Sequence, residues 1–124
     1  MRTKTQQYAA QIFEQVSRMS DVDERARNKY GSMAHRLPVL IRTAGLAQAL
    51  GFVESRGTPE QQQLIRDISE VIGVPNLCKH SRKAELSEYM TLTKDVMTAL
   101  VWYKRFAESV LNVQSDANGK DAGE

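Results

Sequence analysis

The chain contains one cysteine, Cys78, so no internal disulfide can form. It contains two histidines, His35 and His80. Cys78 and His80 stand two positions apart, but a closed tetrahedral zinc site needs a second Cys/His pair, and none is available. Seven glycines are present, yet none forms a phosphate loop: Gly45 and Gly51 lie six apart, within or beside a helical pattern, with no strand before them. Serines and threonines are plentiful, but no base is placed beside one, and nucleophilic catalysis needs both a base and a group to orient it. Two carboxylate pairs, Glu85/Glu88 and Asp67/Glu70, fall three apart on helical stretches. Such pairs can hold a divalent cation, although this spacing is ordinary on a solvated helix face. No apolar run approaches the roughly 18 residues of a membrane span. Met1-Arg2-Thr3-Lys4-Thr5-Gln6-Gln7 has no apolar core of the kind a secretory leader requires. A lone cysteine fits a reducing compartment. The expectation is a cytoplasmic, membrane-free protein without catalytic residues, cofactor, metal or small-molecule substrate.

What is present is charge of one sign, concentrated locally. Between residues 25 and 56 there are six cations, Arg25, Arg27, Lys29, Arg36, Arg42 and Arg56, against one acid, Glu54, whereas the whole chain of 124 residues is only +2. A local excess says more about partners than the total does. Between residues 79 and 105, Lys79, Arg82, Lys83, Lys94, Lys104 and Arg105 stand against Glu85, Glu88 and Asp95, a second excess of +3. Lysines and arginines on helix faces grip a nucleic-acid backbone without reading its sequence. The competing reading is a solubilising surface.

Length and composition, 41% hydrophobic and 26% charged, suit one globular domain. Helical periodicity runs through nearly all of it. A first helix starts at Thr3, with Gln6 completing a capping box, carries Ala9, Ile12, Phe13, Val16 and Met19 as one stripe, and ends near Ser20. Asp21 and Glu24 repeat the box for a second helix, in which Pro38 should cause a kink or break near Leu37, with a further break at Gly45. A short third helix carries Leu46, Ala49, Leu50 and Val53 and can close at Gly57. Thr58-Pro59-Glu60-Gln61 is the clearest start signal, and Gly73 with Pro75 ends that fourth helix. Residues 76–80 read as a connection. The last helix, roughly residues 81–112, has two apolar stripes, Leu86/Met90/Met97/Leu100/Val101/Ala107/Leu111 and Tyr89/Leu92/Val96/Ala99/Tyr103/Phe106/Val110. A helix so apolar around its circumference is packed on several sides. Trp102 falls on its polar side. The expected architecture is all-α: a compact single-domain bundle of about six helices over residues 1–113, with a long central C-terminal helix and a disordered tail at 114–124.

Two segments carry a family resemblance. The first runs from Met33-Ala34-His35-Arg36-Leu37-Pro38-Val39-Leu40-Ile41-Arg42 through Gly45-Leu46 to Ser55-Arg56. The second is Tyr89-Met90-Thr91-Leu92-Thr93 followed by Val101-Trp102-Tyr103-Lys104-Arg105-Phe106-Ala107. In order and spacing they resemble the small all-helical subunit of the type III-B CRISPR effector, the Cmr RNA-silencing complex. The resemblance covers residues 1 to about 112. It implies a subunit that is not the nuclease, stacks with neighbouring copies of itself beside the backbone subunit, and lines the channel that holds guide RNA and target RNA. By matched position it implies that Arg42, Arg56, Lys104 and Arg105, and less directly Arg36, face nucleic acid. These cations should then converge on a single electropositive strip. Trp102 is the candidate for contact with a protein neighbour.

Overall fold

In the computed structural model, which describes residues 1–115, six helices follow one another and no strand occurs among the described residues. They are α1 (Lys4–Met19), α2 (Glu24–Ala44), α3 (Leu46–Arg56), α4 (Pro59–Ile72), α5 (Leu77–Lys83) and α6 (Leu86–Ser109). Local chemistry sets several of these bounds. Thr3 Oγ1 accepts from the Gln6 amide at 3.1 Å while Gln6 Oε1 accepts from the Thr3 amide at 2.8 Å. Thr58 and Gln61 repeat the arrangement at 3.2 and 3.1 Å, with Pro59 as the first helical residue. Each box satisfies two amides that a helix start otherwise leaves unpaired. Gly73, in the left-handed region at φ 75°, closes α4.

Three boundaries differ from the sequence reading. The cap of α2 is Asp23, not Asp21: its carboxylate accepts from the Ala26 amide at 2.8 Å. Pro38 does not break α2, which continues to Ala44. The turns on both sides of Pro38 bury Met33, Ala34, Leu37 and Ile41, and this packing outweighs the lost backbone bond. The long terminal helix is two helices, because Ala84 and Glu85 are extended and separate α5 from α6. Nothing in Lys83-Ala84-Glu85 signals a break. The break lets Leu77, Cys78 and Ser81 bury on one element while Leu92, Val96 and Ala99 bury on another.

α6 occupies the centre, packed by α1, α2 and α4. It runs antiparallel to α2: Gly31 and His35 meet Val113, and Gly45 and Ala47 meet Tyr89. It runs parallel to α1, as the Lys4–Asp95 and Phe13–Phe106 contacts show. Only one of the two stripes expected on α6 is buried along most of its length. Leu92, Val96, Ala99 and Tyr103 are interior, whereas Leu86, Met90 and Val101 of the other stripe are exposed. On α1 the buried face is Tyr8, Ile12, Gln15 and Val16, and Phe13 points outward.

Beyond α6, Asn112 turns left-handed at φ 59° and the Val113 amide donates to the Ala107 carbonyl at 2.9 Å, which satisfies one of the last helix carbonyls. His35 Nε2 lies 2.9 Å from the Val113 carbonyl, and the Val113 side chain is buried on Gly31. Gln114 and Ser115 are exposed, and the rest of the expected tail lies outside the described residues. A Cβ at Gly31 would stand 2.7 to 2.9 Å from three Val113 side-chain atoms. Gly31→Ala should therefore destabilise by about 1–3 kcal/mol, reversing the gain of about 1 kcal/mol usual for this change inside a helix. Urea midpoints would test this, and Val113→Ala should not rescue Gly31→Ala, because the Val113 Cβ is itself the nearest contact at 2.7 Å.

Candidate nucleic-acid and partner-binding surfaces

Gly31, His35, Pro38 and Arg42 recur at four- and three-residue intervals and form one column on α2. The first two meet Val113, and His35 Nε2 is 4.0 Å from Glu108 Oε2. Lys104 and Glu108, four residues apart, form the answering column on α6. Arg42 and Lys104 therefore lie on the facing columns of α2 and α6. Arg36 is one residue on from His35, about 100° around the helix. It shares its side of α2 with Lys29 and Arg25, and it is half-buried with interactions of its own. Arg56 ends α3, which starts at Leu46 and runs back along α2 until Gln61, just beyond it, reaches the Lys29 carbonyl. That places Arg56 roughly 16 Å from the Arg42 end of α2, the length of an 11-residue helix. Arg105 lies over Trp102. The five cations are thus distributed over three helices: Arg36 and Arg42 on different sides of α2, Arg56 at the end of α3, and Lys104 and Arg105 on α6 with Arg105 over Trp102.

The ion pairs among the described residues are Lys4–Asp95 at 3.1 Å, Arg82–Glu54 at 3.4 Å, His80–Glu88 at 2.7 Å and the long His35–Glu108 contact. None involves Arg42, Arg56, Lys104 or Arg105. Arg42, Arg56 and Arg105 are exposed and Lys104 is half-buried. The Lys4 ammonium is held above its ordinary pKa, chiefly by its hydrogen bond to Asp95.

Trp102 belongs to an aromatic ladder. Its indole stacks on Phe106 with centroids 5.7 Å apart and planes 29° apart, and Phe106 meets Phe13 of α1 edge-on at 5.4 Å. The Arg105 guanidinium carbon is 5.3 Å from the indole centroid. Arg105 and Phe106 follow Trp102 by three and four residues, so they flank the ring on either side in helical projection. A nucleobase would have to displace one of them to stack. A protein side chain could instead pack on the ring edges and on Phe13, which is 49% exposed. Periodicity places Phe13 on the core stripe of α1, but Gln15 takes an interior position there and Phe13 is left outside, while Phe106 is half-buried against the core. At the other end of α6, Leu86 and Met90 are 74% and 62% exposed, about 24 and 18 Å from Trp102 by helical rise.

The acidic pairs separate. Glu85 and Glu88 are exposed, and Glu88 pairs with His80. Asp67 is buried, contrary to a solvated face, and accepts from the Tyr30 hydroxyl at 2.6 Å and from Gln63 Nε2 at 2.8 Å. Burial holds its carboxyl above the ordinary pKa. The same cause raises Cys78, which is interior and accepts from Arg82 at 3.2 Å. Among the described residues, no group of three or more His, Cys, Asp or Glu side chains is placed to hold a metal ion, and no helix is long and apolar enough to cross a membrane.

A family model described as CRISPR-associated protein (Cas_Cmr5) matches residues 4–110, nearly all of the helical region. This chain belongs to the Cas_Cmr5 family. One relative, the CRISPR system Cmr subunit Cmr5 of Thermus thermophilus, is 40% identical over 114 residues, covering 90% of this chain and 98% of the relative. A crystal structure of a CRISPR-associated Cmr5 family protein from Thermus thermophilus superposes with a TM-score of 0.82 at 41% identity, covering 89% of this chain and 98% of that one. The six-helix architecture is therefore that of a solved Cas_Cmr5 protein.

Proposed function

We propose that this chain is a non-catalytic structural subunit of a type III-B CRISPR RNA-guided interference complex in the cytoplasm. It stacks in the inner filament and contacts the backbones of guide and target RNA without sequence preference. The observation that carries this reading, in a member of the Cas_Cmr5 family, is the set of cations without carboxylate partners among the described residues: Arg42, Arg56, Lys104 and Arg105. Cations not paired with a carboxylate among the described residues are available to phosphates, and phosphate contacts position a strand without reading it. Their spread over several faces suits a subunit embedded among neighbours, where each copy adds a few contacts to a long duplex.

Stacking has its own support. The Phe13/Phe106/Trp102 ladder and the Leu86/Met90 pair lie toward opposite ends of α6. Two unlike apolar patches at opposite ends favour head-to-tail association, and such association extends into an open array when it does not close into a ring. Another copy and the backbone subunit are the partners. The ladder also favours a second reading, a helical adaptor that binds protein only and whose cations merely solubilise it.

Reversing Arg42, Arg56, Lys104 and Arg105 together to Glu separates the two. The first reading expects the assembled complex to lose target-RNA capture while the purified variant keeps the helical circular-dichroism spectrum of the parent. Undiminished capture would transfer the weight to the protein-only adaptor.

A further inference from the structure

Where α5 meets α6, the extended pair Ala84–Glu85 forms an elbow that brings Glu88 back to His80, with Nε2 and Oε2 2.7 Å apart. The elbow encloses an open pocket lined by Asn76, Lys79, His80, Lys83 and Glu88, among others. Lys79 and Lys83 are four residues apart on α5, so both ammonium groups rise on the pocket side. Both are exposed, and neither has an ion pair among the described residues. Arg82, on the other side of α5, is engaged with Glu54 and Cys78. Asn76, left-handed at φ 53°, closes the near end of the pocket. The pocket thus offers two ammonium groups, an imidazole and an amide against one carboxylate, which the imidazole already engages. As a continuous helix, residues 81–112 would have put Lys79 and Lys83 on different elements, with no elbow between them.

We infer that this elbow pocket binds a phosphate group, held by Lys79 and Lys83 with His80 and Asn76 as hydrogen-bonding walls. The site rests on the geometry above. That the phosphate comes from an RNA strand, rather than from a free phosphate or nucleotide, rests on the proposed function. Lysine ammonium groups suit this ligand as point charges with rotatable donors. Glu88 sets an upper limit on affinity, because its remaining negative charge faces the ligand.

The test uses the full chain and three variants: Lys79→Ala with Lys83→Ala, Glu88→Gln, and Arg42→Glu with Lys104→Glu. Binding of an end-labelled oligouridine is measured between about 50 and 200 mM salt. Amide chemical shifts are followed separately during titration with inorganic phosphate and with AMP. Loss of both lysines should weaken oligouridine binding on the order of tenfold and make the slope of log K against log salt shallower by about 1.4, or 0.7 for each lost phosphate contact. Glu88→Gln should strengthen binding by about two- to threefold at low salt, an effect that a merely structural role for the elbow would not produce. If the double-lysine variant binds like the parent while Arg42→Glu/Lys104→Glu binds more weakly, the pocket is overturned and the RNA reading stands. If the parent binds no RNA, but phosphate or AMP shifts the amides of residues 76–83 and the lysine variant abolishes those shifts, the pocket is a free-phosphate site and the RNA reading falls. Neither RNA binding nor phosphate shifts would overturn both.

Discussion

Gln15→Ala should destabilise the fold by about 3–4 kcal/mol, an unusually large loss for a glutamine. Gln15 is 1% exposed. Its Nε2 donates to the Asp67 carbonyl at 3.0 Å and to Glu70 Oε1 at 3.2 Å, and its Oε1 accepts from the Tyr103 hydroxyl. One side chain thus joins α1 to α4 and α6. Asp67 lies inside α4, so its carbonyl keeps a helical partner. Gln15 Oε1 is the acceptor of the Tyr103 hydroxyl in this buried position, and burial already raises the pKa of Tyr103 far above the ordinary value. Truncation therefore strands a hydroxyl and opens a cavity. Gln15→Leu fills the space and isolates the polar part, for which about 2 kcal/mol is expected. Adding Tyr103→Phe to Gln15→Leu removes both partners and should restore part of that loss, since an apolar pair costs less than one orphaned polar group. Urea unfolding followed by the fluorescence of Trp102, the sole tryptophan, reads these three variants and Tyr103→Phe alone. Simple additivity of the Gln15→Leu and Tyr103→Phe effects would show that the two side chains are not coupled.

The same residue shows how far the sequence can be read. Thr3/Gln6 and Thr58-Pro59-Glu60-Gln61 were legible because a capping box is local: donor and acceptor are three residues apart, and no other element is needed to form it. The third helix and its Leu46/Ala49/Leu50/Val53 face were legible because period and composition agree. Gln15 was not legible as a core residue. Its burial depends on Asp67 and Tyr103, 52 and 88 residues away, to meet its donors and acceptor. With Gln15 inside, the buried face of α1 turns and Phe13 is left outside against Phe106. Pro38 misled because the penalty it carries is local while the packing that overrides it comes from neighbouring helices. The α5–α6 elbow misled for the opposite reason, since no residue in it disfavours helix. As for the site, Trp102 could be picked out as the only indole on a polar stripe. The ladder that gives it both neighbours could not, because half of it comes from α1. The cations were visible as a local excess. Their dispersal follows from α3 doubling back along α2, a matter of topology that charge counting does not reach.

Tyr30→Phe should destabilise by about 2 kcal/mol at neutral pH and by less in acid. Tyr30 is interior and donates to Asp67 Oδ2 at 2.6 Å; burial raises the pKa of the tyrosine itself, so it stays a hydroxyl donor throughout. Asp67 sits above its ordinary value of 3.8, mainly through burial, with the bonds from Tyr30 and Gln63 and the charge of Arg18 pulling the other way. A carboxyl whose folded pKa is raised contributes stability that is fully present below its unfolded value. That contribution is lost as pH rises through the folded value. Removing the Tyr30 hydroxyl takes away a bond that favours the ionised form, so the folded value climbs further and the loss extends to higher pH. The gap between parent and Tyr30→Phe should therefore widen as pH rises from about 4 to about 7. It should stop depending on pH when Asp67→Asn is present in both backgrounds. Urea midpoints across this interval provide the measurement. A gap that is constant, or that widens toward acid, would mean that Tyr30 supports packing without stabilising the Asp67 carboxylate. Because Tyr30 and Asp67 join α2 to α4 while Gln15 joins α4 to α1 and α6, loss of either link loosens the frame that carries the cations of α2 and α6 and sets Phe13 beside Phe106. The exposed cations and the aromatic ladder are in this way tied to a buried polar network that includes none of them.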